Sequence, residues 1–246
     1  MNRFYTPDLD PREPLSDDLV VLDADQARHA QTVLRLRVGD QVEVFDGCGR
    51  VGIAHVERWV TNDPQPALLR VASVRSVPRP VPTIDVACAM PKGPRGTAMA
   101  AALSQVGADR LIPLRCERAA VDPDRINRRR FEKTAIESAR QCGRAYLLKV
   151  DPPAAIDELI RRPYGVRLFG MPVAGVDVKS DDLTSRLRRA AKMLILIGPE
   201  GGWTNDEQAA AVSARCTRWC FGTHVMRIET ASAAAVTIVR YLTLKS

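Results

Sequence analysis

The sequence predicts two domains: a small β-barrel carrying one helix, then a larger α/β domain built on a parallel sheet. Three observations lead there. At 246 residues the chain exceeds the usual size of one domain and has ample material for a core. Ser76-Val-Pro-Arg-Pro-Val-Pro-Thr83, with prolines at 78, 80 and 82, reads as a stiff extended linker that divides the chain into 1–75 and 84–246. Short apolar runs alternate with turns before this linker, whereas strand-like runs alternate with helical patterns after it, as in βαβ units.

Composition narrows the class. Hydrophobic residues make up 46% and charged residues 26%, an ordinary globular mixture. No apolar run reaches membrane-spanning length and Met1-Asn-Arg-Phe-Tyr-Thr-Pro7 lacks a signal peptide's apolar region, so a cytoplasmic protein with no membrane partner is expected. The six cysteines, at 48, 88, 116, 142, 216 and 220, lie mostly in apolar segments, as reduced core residues would. Cys216, Cys220 and His224 would offer three metal ligands, but a fourth is not evident and no metal is expected. The net charge of +7 calls for a polyanionic partner. Residues 1–75 carry 9 Lys or Arg against 12 Asp or Glu, and residues 76–246 carry 27 against 17, which assigns the basic excess to the second part. Thirty of the 36 cations are arginine, the side chain that forks onto phosphate and stacks on bases, although a GC-rich genome gives the same preference.

In the first part, Leu19–Leu22, Val42–Phe45, Gly52–Val56 and Ala67–Val74 read as strands, and Asp46-Gly47 between two of them is a hairpin signal. Asp23 caps a helix over Gln26–Leu36 that stops before Gly39-Asp40. His29 on that helix reads as a surface or packed histidine rather than a catalyst, and Arg35 and Arg37 read equally as solvated charges.

In the second part, Ile84–Met90 is a buried strand, followed by Pro91-Lys-Gly-Pro-Arg95 and a helix to about Val106; Leu111–Leu114 is the next strand. Asp122-Pro123 opens a helix whose apolar stripe is Phe131, Ala135, Ala139 and Cys142. Arg129, Lys133, Arg140 and Arg144 lie roughly on another face of it, a candidate phosphate-binding surface or a solvated face with pairs such as Lys133 and Glu137. Val166–Gly170 is a strand and Asp182–Lys192 a helix. The apolar run Met193–Ile197 then breaks at Gly198-Pro-Glu-Gly-Gly202, where Gly201 and Gly202 allow positive φ and close approach of a ligand. Thr204 and Glu207 form a capping box for a helix over Asn205–Arg215, Arg218–Phe221 is strand-like, and Thr230 caps a last helix over Ala231–Leu244. A strand, a glycine loop and a helix N-terminus in sequence make a plausible ligand site. A P-loop is excluded because no Lys-Ser or Lys-Thr follows the glycines, and a dinucleotide fingerprint because the glycine spacing is wrong.

Gly198-Pro-Glu-Gly-Gly202 with Glu207, followed by Met226-Arg-Ile-Glu-Thr-Ala231, resembles the bacterial 16S rRNA uracil-N3 methyltransferases of the SPOUT superfamily. Weaker matches run along nearly the whole chain, including Arg3-Phe4, Val33–Arg37, Phe45-Asp-Gly47, Glu117-Arg118 and Glu137 to Arg144. The resemblance implies a PUA-like RNA-binding barrel over 1–75 and an α/β trefoil-knotted methyltransferase domain over 84–246 that binds S-adenosyl-L-methionine, acts on small-subunit rRNA or the assembled subunit, and pairs as a homodimer. It further implies cofactor binding by Phe169, Gly170, Leu196, Gly198, Pro199, Glu200, Gly201, Gly202, Met226, Ile228, Thr230 and Ala231. RNA contacts are expected from Arg3, His29, Arg35, Arg37, Lys92, Arg95, Arg118, Arg129, Lys133, Arg140 and Arg144. The catalytic candidates are Arg227, to stabilise charge on the uracil oxygens, and Glu229, to accept the N3 proton or orient Arg227; a charge capping the final helix is the structural alternative for Glu229.

Two departures stand out. Where relatives of that family carry Lys-x-Thr-Glu-Leu-Gly, this chain has Ala102-Leu-Ser-Gln-Val-Gly107, and a proline after Arg144 is replaced by Leu148. A catalytically altered RNA-binding or ribosome-assembly relative is the alternative these raise. An α/β enzyme for an anionic metabolite would explain the glycine loop but neither the barrel nor the basic helix.

Overall fold

The computed structural model describes residues 1–9, 19–60, 66–172 and 180–244. They divide into two compact units, one of Met1–Arg79 with Ala139–Leu147, the other of Pro80–Ser138 with Leu148–Ser246.

The first unit holds β1 (Arg3–Tyr5), β2 (Leu19–Leu22), β3 (Gln41–Phe45), β4 (Arg50–Trp59) and β5 (Ala67–Ser76) in one sheet of order β1-β3-β4-β5-β2. β1 is parallel to β3 and the other pairs are antiparallel. Among the described residues this is an open sheet rather than the expected closed barrel, because β1 and β2 stand at opposite edges with no ladder between them. The hairpin forms at Asp46-Gly47. The Asp46 carboxylate accepts from the N–H groups of Cys48 at 2.6 Å and Arg50 at 2.9 Å, and Gly47 takes φ +71. Helix α1 (Ala24–Arg28) is capped by Asp23, which accepts from Gln26 N, and continues as one wide π turn over His29–Val33. It stops short of Leu36: Arg35 takes φ +55, and Arg37 N donates to Asp40 Oδ2 at 2.7 Å, which turns the chain away. Ala27 and Ala30 of this helix pack with Val42, Val44, Val56 and Leu69 from alternate positions of the strands.

The second unit is a wholly parallel sheet of seven strands: β6 (Thr83–Cys88), β7 (Arg110–Arg115), β8 (Lys149–Val150), β9 (Ala154–Ala155), β10 (Val166–Gly170), β11 (Lys192–Ile197) and β12 (Thr217–Trp219). Their order is β12-β10-β11-β6-β7-β8, with β9 also on β7. The helices are α2 (Arg95–Gln105), α3 (Arg128–Cys142), α4 (Ile156–Ile160), α5 (Ser180–Arg189), α6 (Asn205–Ser213) and α7 (Ile228–Thr243). The two-residue period of β11 separates two cores: Met193, Ile195 and Ile197 pack with residues of α2, α5 and α7, while Leu194 and Leu196 pack with residues of α4 and α6. Two helix starts differ from the sequence reading by three residues or more. Pro123 opens only a 3₁₀ turn, Pro123–Arg125, and Ile126 returns to extended backbone, so α3 begins at Arg128. α7 begins at Ile228 with Arg227 as its cap, which places Thr230 in the first turn. Among the described residues no helix is long and apolar enough to cross a membrane.

Buried charge pins the amino ends of the strands. Asp85, 1% exposed, accepts from the Tyr164 hydroxyl at 2.8 Å and lies 3.2 Å from Lys192 Nζ. Burial first, and then the Asp85 charge, push the Tyr164 phenol well up from its ordinary value. Asp109 accepts from Ile84 N at 2.8 Å and from Arg240 Nη2 at 3.0 Å, tying α7 to the start of β6.

Candidate functional site

Parallel strands bring their carboxyl ends to one edge of the sheet, and in open α/β sheets that edge is where ligands enter. The loops after β10, β11 and β12 meet there around a cleft of about 400 Å³. Met171 and Pro172 come from the first loop, Ile197 to Glu200 with Gly202 and Trp203 from the second, and residues between Cys220 and Ala231 from the third, which leads into α7.

Glycines set the shape of the second loop. Gly198 lies so close to Trp203 that a Cβ there would stand 2.6 Å from its Cε2. The indole Nε1 donates to Gly170 O at 2.9 Å, and the ring stacks on Phe169 with centroids 4.5 Å apart. Trp203 is therefore the floor of the loop. Gly202 takes φ +73 and closes a turn by donating to Pro199 O at 2.9 Å. A Cβ at Gly202 would meet nothing within 4 Å, so its backbone faces the cleft bare. The capping box at Thr204 and Glu207 is formed, with Thr204 N to Glu207 Oε2 at 2.8 Å and Glu207 N to Thr204 Oγ1 at 3.2 Å. In the third loop Cys220 Sγ donates to Gly222 O, and Gly222 leaves room for the Met226 methyl, which a Cβ would approach to 2.7 Å.

Of the expected cofactor residues, Gly170, Gly198, Pro199, Glu200, Gly202, Met226, Ile228 and Ala231 line this cleft. Phe169, Leu196, Gly201 and Thr230 do not. Phe169 and Leu196 are buried at 1% and 0% exposure on the α4 and α6 side of the sheet, one residue before each strand reaches the cleft. Gly201 turns outward onto Arg118, and Thr230 is exposed on α7. Among the lining residues absent from the expected set are Met171 and Pro172, Ile197 and Trp203, and around Gly222 the residues Cys220, Phe221, His224 and Val225 with Gly222 itself. Gly222, between an aromatic strand end and the Met226 motif, was the one available signal.

Arg227 is exposed, lines the cleft and caps α7. Glu229 is absent from the lining: its Oε1 lies 3.6 Å from Arg95 Nη1, and its Oε2 is buried with no hydrogen-bond partner. Among the expected RNA contacts, Arg35, Arg37, Lys92, Arg118, Arg129 and Lys133 are exposed, and His29, Arg95, Arg140 and Arg144 are half-buried. Arg140 donates through Nε to Arg3 O at 2.9 Å. Arg3 corrects the expectation. It is 8% exposed, lies 2.6 Å from Glu43, donates to Ala139 O and stacks over Phe45 at 4.1 Å, and burial lowers its pKa more than Glu43 raises it. It is packed inside the first unit and unavailable to phosphate. Of the cysteines, Cys216 is buried in the α4 and α6 core, Cys220 lines the cleft, and burial followed by the Glu207 charge pushes the Cys116 thiol up to about 12.

Known proteins share this architecture. Residues 77–240 match the model of an RNA methyltransferase domain, and residues 22–58 that of an RNA methyltransferase PUA domain. A relative from Mycobacterium bovis named Ribosomal RNA small subunit methyltransferase E is 31% identical over 249 residues, which cover 98% of this chain and 91% of its own. A protein from Legionella pneumophila, whose solved structure holds the bound cofactor SAM, superimposes with a TM-score of 0.81 at 25% identity, covering 97% of this chain and 96% of its own. Ribosomal RNA small subunit methyltransferase E from Neisseria gonorrhoeae has the same fold, with a TM-score of 0.81, 23% identity and 98% coverage of both chains.

Proposed function

The chain belongs to the family of ribosomal RNA small subunit methyltransferase E, and from that membership we propose that it transfers a methyl group from S-adenosyl-L-methionine to N3 of a uracil in 16S ribosomal RNA. The cleft at the ends of β10, β11 and β12 carries this reading. Its apolar wall of Ile197, Phe221 and Met226 suits an adenine face, and the bare backbone at Gly202 suits polar edges that need close approach. The first turn of α7 adds N–H groups ahead of its first intrahelical bond, Ala231 N to Arg227 O at 2.8 Å, and these favour a carboxylate. The residues from Gly198 to Gly202 and from Met226 to Ala231 would hold the donor, which supplies an electrophilic methyl carbon on a sulfonium.

Uracil N3 carries a weakly acidic proton, so the protein must align N3 with the methyl carbon and stabilise the negative charge that spreads onto the two flanking carbonyl oxygens. Arg227 does the second task from the cleft wall, fixed by its place as the cap of α7. Glu229 holds Arg95 and the start of α7 instead of reaching the cleft. Arg118, Arg129 and Lys133 take phosphates of the RNA, a sequence-independent contribution that falls with salt. From the same family membership we propose that the α/β domain forms a trefoil knot. A cytoplasmic homodimer completes the proposal, with the exposed Tyr241 of the last helix and Leu244, which caps it, as part of the joining face.

The experiment is transfer of labelled methyl from S-adenosyl-L-methionine to rRNA and to isolated small subunits, with reverse transcription to find a stop at one uridine, since N3 methylation blocks base pairing. Incorporation into either substrate at one uridine supports the proposal. No incorporation into either, with the cofactor bound, refutes it.

A further inference from the structure

The glycine loop is gripped from its outer side by the residues that follow β7. Glu207 uses its second carboxylate oxygen here: Oε2 completes the capping box, and Oε1 accepts the N–H of Glu117 at 3.2 Å. The next residue, Arg118, lies directly on Gly201. A Cβ at Gly201 would come to 3.0 Å from Arg118 Cβ and 3.3 Å from its carbonyl oxygen, so a larger residue would push Arg118 away by a few tenths of an ångström. Arg118 Nη1 donates to Gly201 O at 3.3 Å. Glu200 and Gly202, on either side of Gly201, line the cleft. The guanidinium thus holds the outer face of a peptide segment whose neighbours form the inner wall. Arg118 is itself exposed, and one of its five N–H donors serves Gly201, which leaves others for an acceptor outside. Phosphate is the acceptor that a guanidinium fork matches in geometry and charge.

We propose that Arg118 is a positioning residue that couples RNA binding to cofactor binding: it takes a phosphate of the substrate RNA while holding the Gly201 carbonyl, so that bound RNA steadies the glycine loop around the cofactor. The inference rests on the cleft being the S-adenosyl-L-methionine site. A side chain ordered by one ligand costs less to order for the second, which gives positive coupling, and linkage makes that coupling reciprocal.

The test titrates the full chain with S-adenosylhomocysteine, an unreactive probe, with and without a small-subunit rRNA fragment that the wild type methylates, at one fixed salt concentration. RNA should tighten the wild-type affinity by about 5-fold or more, within the range usual for coupled sites, and the probe should tighten RNA binding by the same factor. Arg118→Ala should bring that ratio to about one and raise the cofactor KM without lowering kcat at saturation, and Arg118→Lys, a charge without the fork, should restore part of the ratio. Gly201→Ala, which pushes on Arg118, should also lower it. A wild-type ratio of one, or an Arg118→Ala ratio equal to the wild type, overturns the coupling while leaving the cofactor site intact. A wild type that neither binds the probe nor methylates RNA overturns the site reading itself, and the coupling with it.

Discussion

Replacing Gly198 with alanine would bring a Cβ to 2.6 Å from Cε2 and 2.9 Å from Nε1 of Trp203, so the indole must move. The ring has little freedom to do so. It is 7% exposed, donates to Gly170 O at 2.9 Å and stacks on Phe169 at 4.5 Å and 27°. The hydrogen bond is worth about 0.5–1.5 kcal/mol and the aromatic pair about as much. Overpacking a filled core costs about 1–3 kcal/mol in general, and because these effects share one ring they overlap, so a net loss of about 2–3 kcal/mol is expected. Urea unfolding followed by circular dichroism measures it. Because Gly170, Gly198 and Trp203 all line the cleft, S-adenosylhomocysteine affinity should also fall by roughly tenfold, about 1.4 kcal/mol by calorimetry. Gly202→Ala is the control: its Cβ meets nothing, but φ +73 costs about 1–2 kcal/mol of left-handed strain without disturbing Trp203. A Gly198→Ala protein with wild-type unfolding midpoint and wild-type affinity would refute the account of Trp203 as the floor of the loop.

Arg227→Ala should lower kcat by about 10²–10³-fold, the usual cost of losing one donor to a developing oxyanion, and leave S-adenosylhomocysteine affinity near wild type; full methylation by a folded variant would remove Arg227 from the mechanism. Tyr164→Phe removes a buried donor to the Asp85 carboxylate and should cost about 1.5–3 kcal/mol in urea unfolding, with an unchanged midpoint as the contrary result. Burial pushes the Cys88 thiol from its ordinary 9.0 up to about 12. The folded state keeps this proton while the unfolded chain releases it, so the contribution is intact below pH 9 and is lost as pH rises towards 12. In that window the wild type should lose stability more steeply than Cys88→Ala, by about 1.4 kcal/mol per pH unit, read from the slopes of denaturation midpoints; equal slopes would mean the thiol ionises while folded.

Five strands of the parallel sheet were legible because they are runs bounded by glycine, proline or a helical pattern, as at Met193–Ile197 before Gly198-Pro199, whereas Lys149–Val150 and Ala154–Ala155, two residues each, are too short to show a pattern. What the pattern could not assign was the side of the sheet. Leu196 and Phe169 looked like cofactor residues by position, yet alternation sends both into the α4 and α6 core, and the cleft receives Ile197 and Gly170 instead. Nor could it reveal that the last turn of α3 and the segment to Leu147 cluster with the first unit. The helical pattern runs unbroken through Ala139, and only the tertiary packing of Ala139 and Ala145 with Phe45 and Val51 distinguishes them. Arg3 escaped for a similar reason. The resemblance implied an RNA contact at Arg3, and its burial depends on Glu43 being brought opposite by the β1 and β3 pairing.

The start of α7 carries the largest consequence for chemistry. Thr230 before an alanine-rich run is the usual helix-start signal, and it placed Arg227 and Glu229 together in an irregular loop where both could face a substrate. The helix instead begins at Ile228, so Glu229 is already in its first turn. Residues two apart on a helix do not face each other. A cap at Arg227 that points to the cleft therefore turns Glu229 towards Arg95 on α2, where an ion pair at 3.6 Å takes one of its oxygens. The carboxylate gains the favourable field of the helix N-terminus and loses access to a bound base. Three residues of helix phase thus leave, of the expected cation and its carboxylate partner, only the cation at the cleft, and they direct the search for a proton acceptor to groups that do line it, Glu200 and His224 among them.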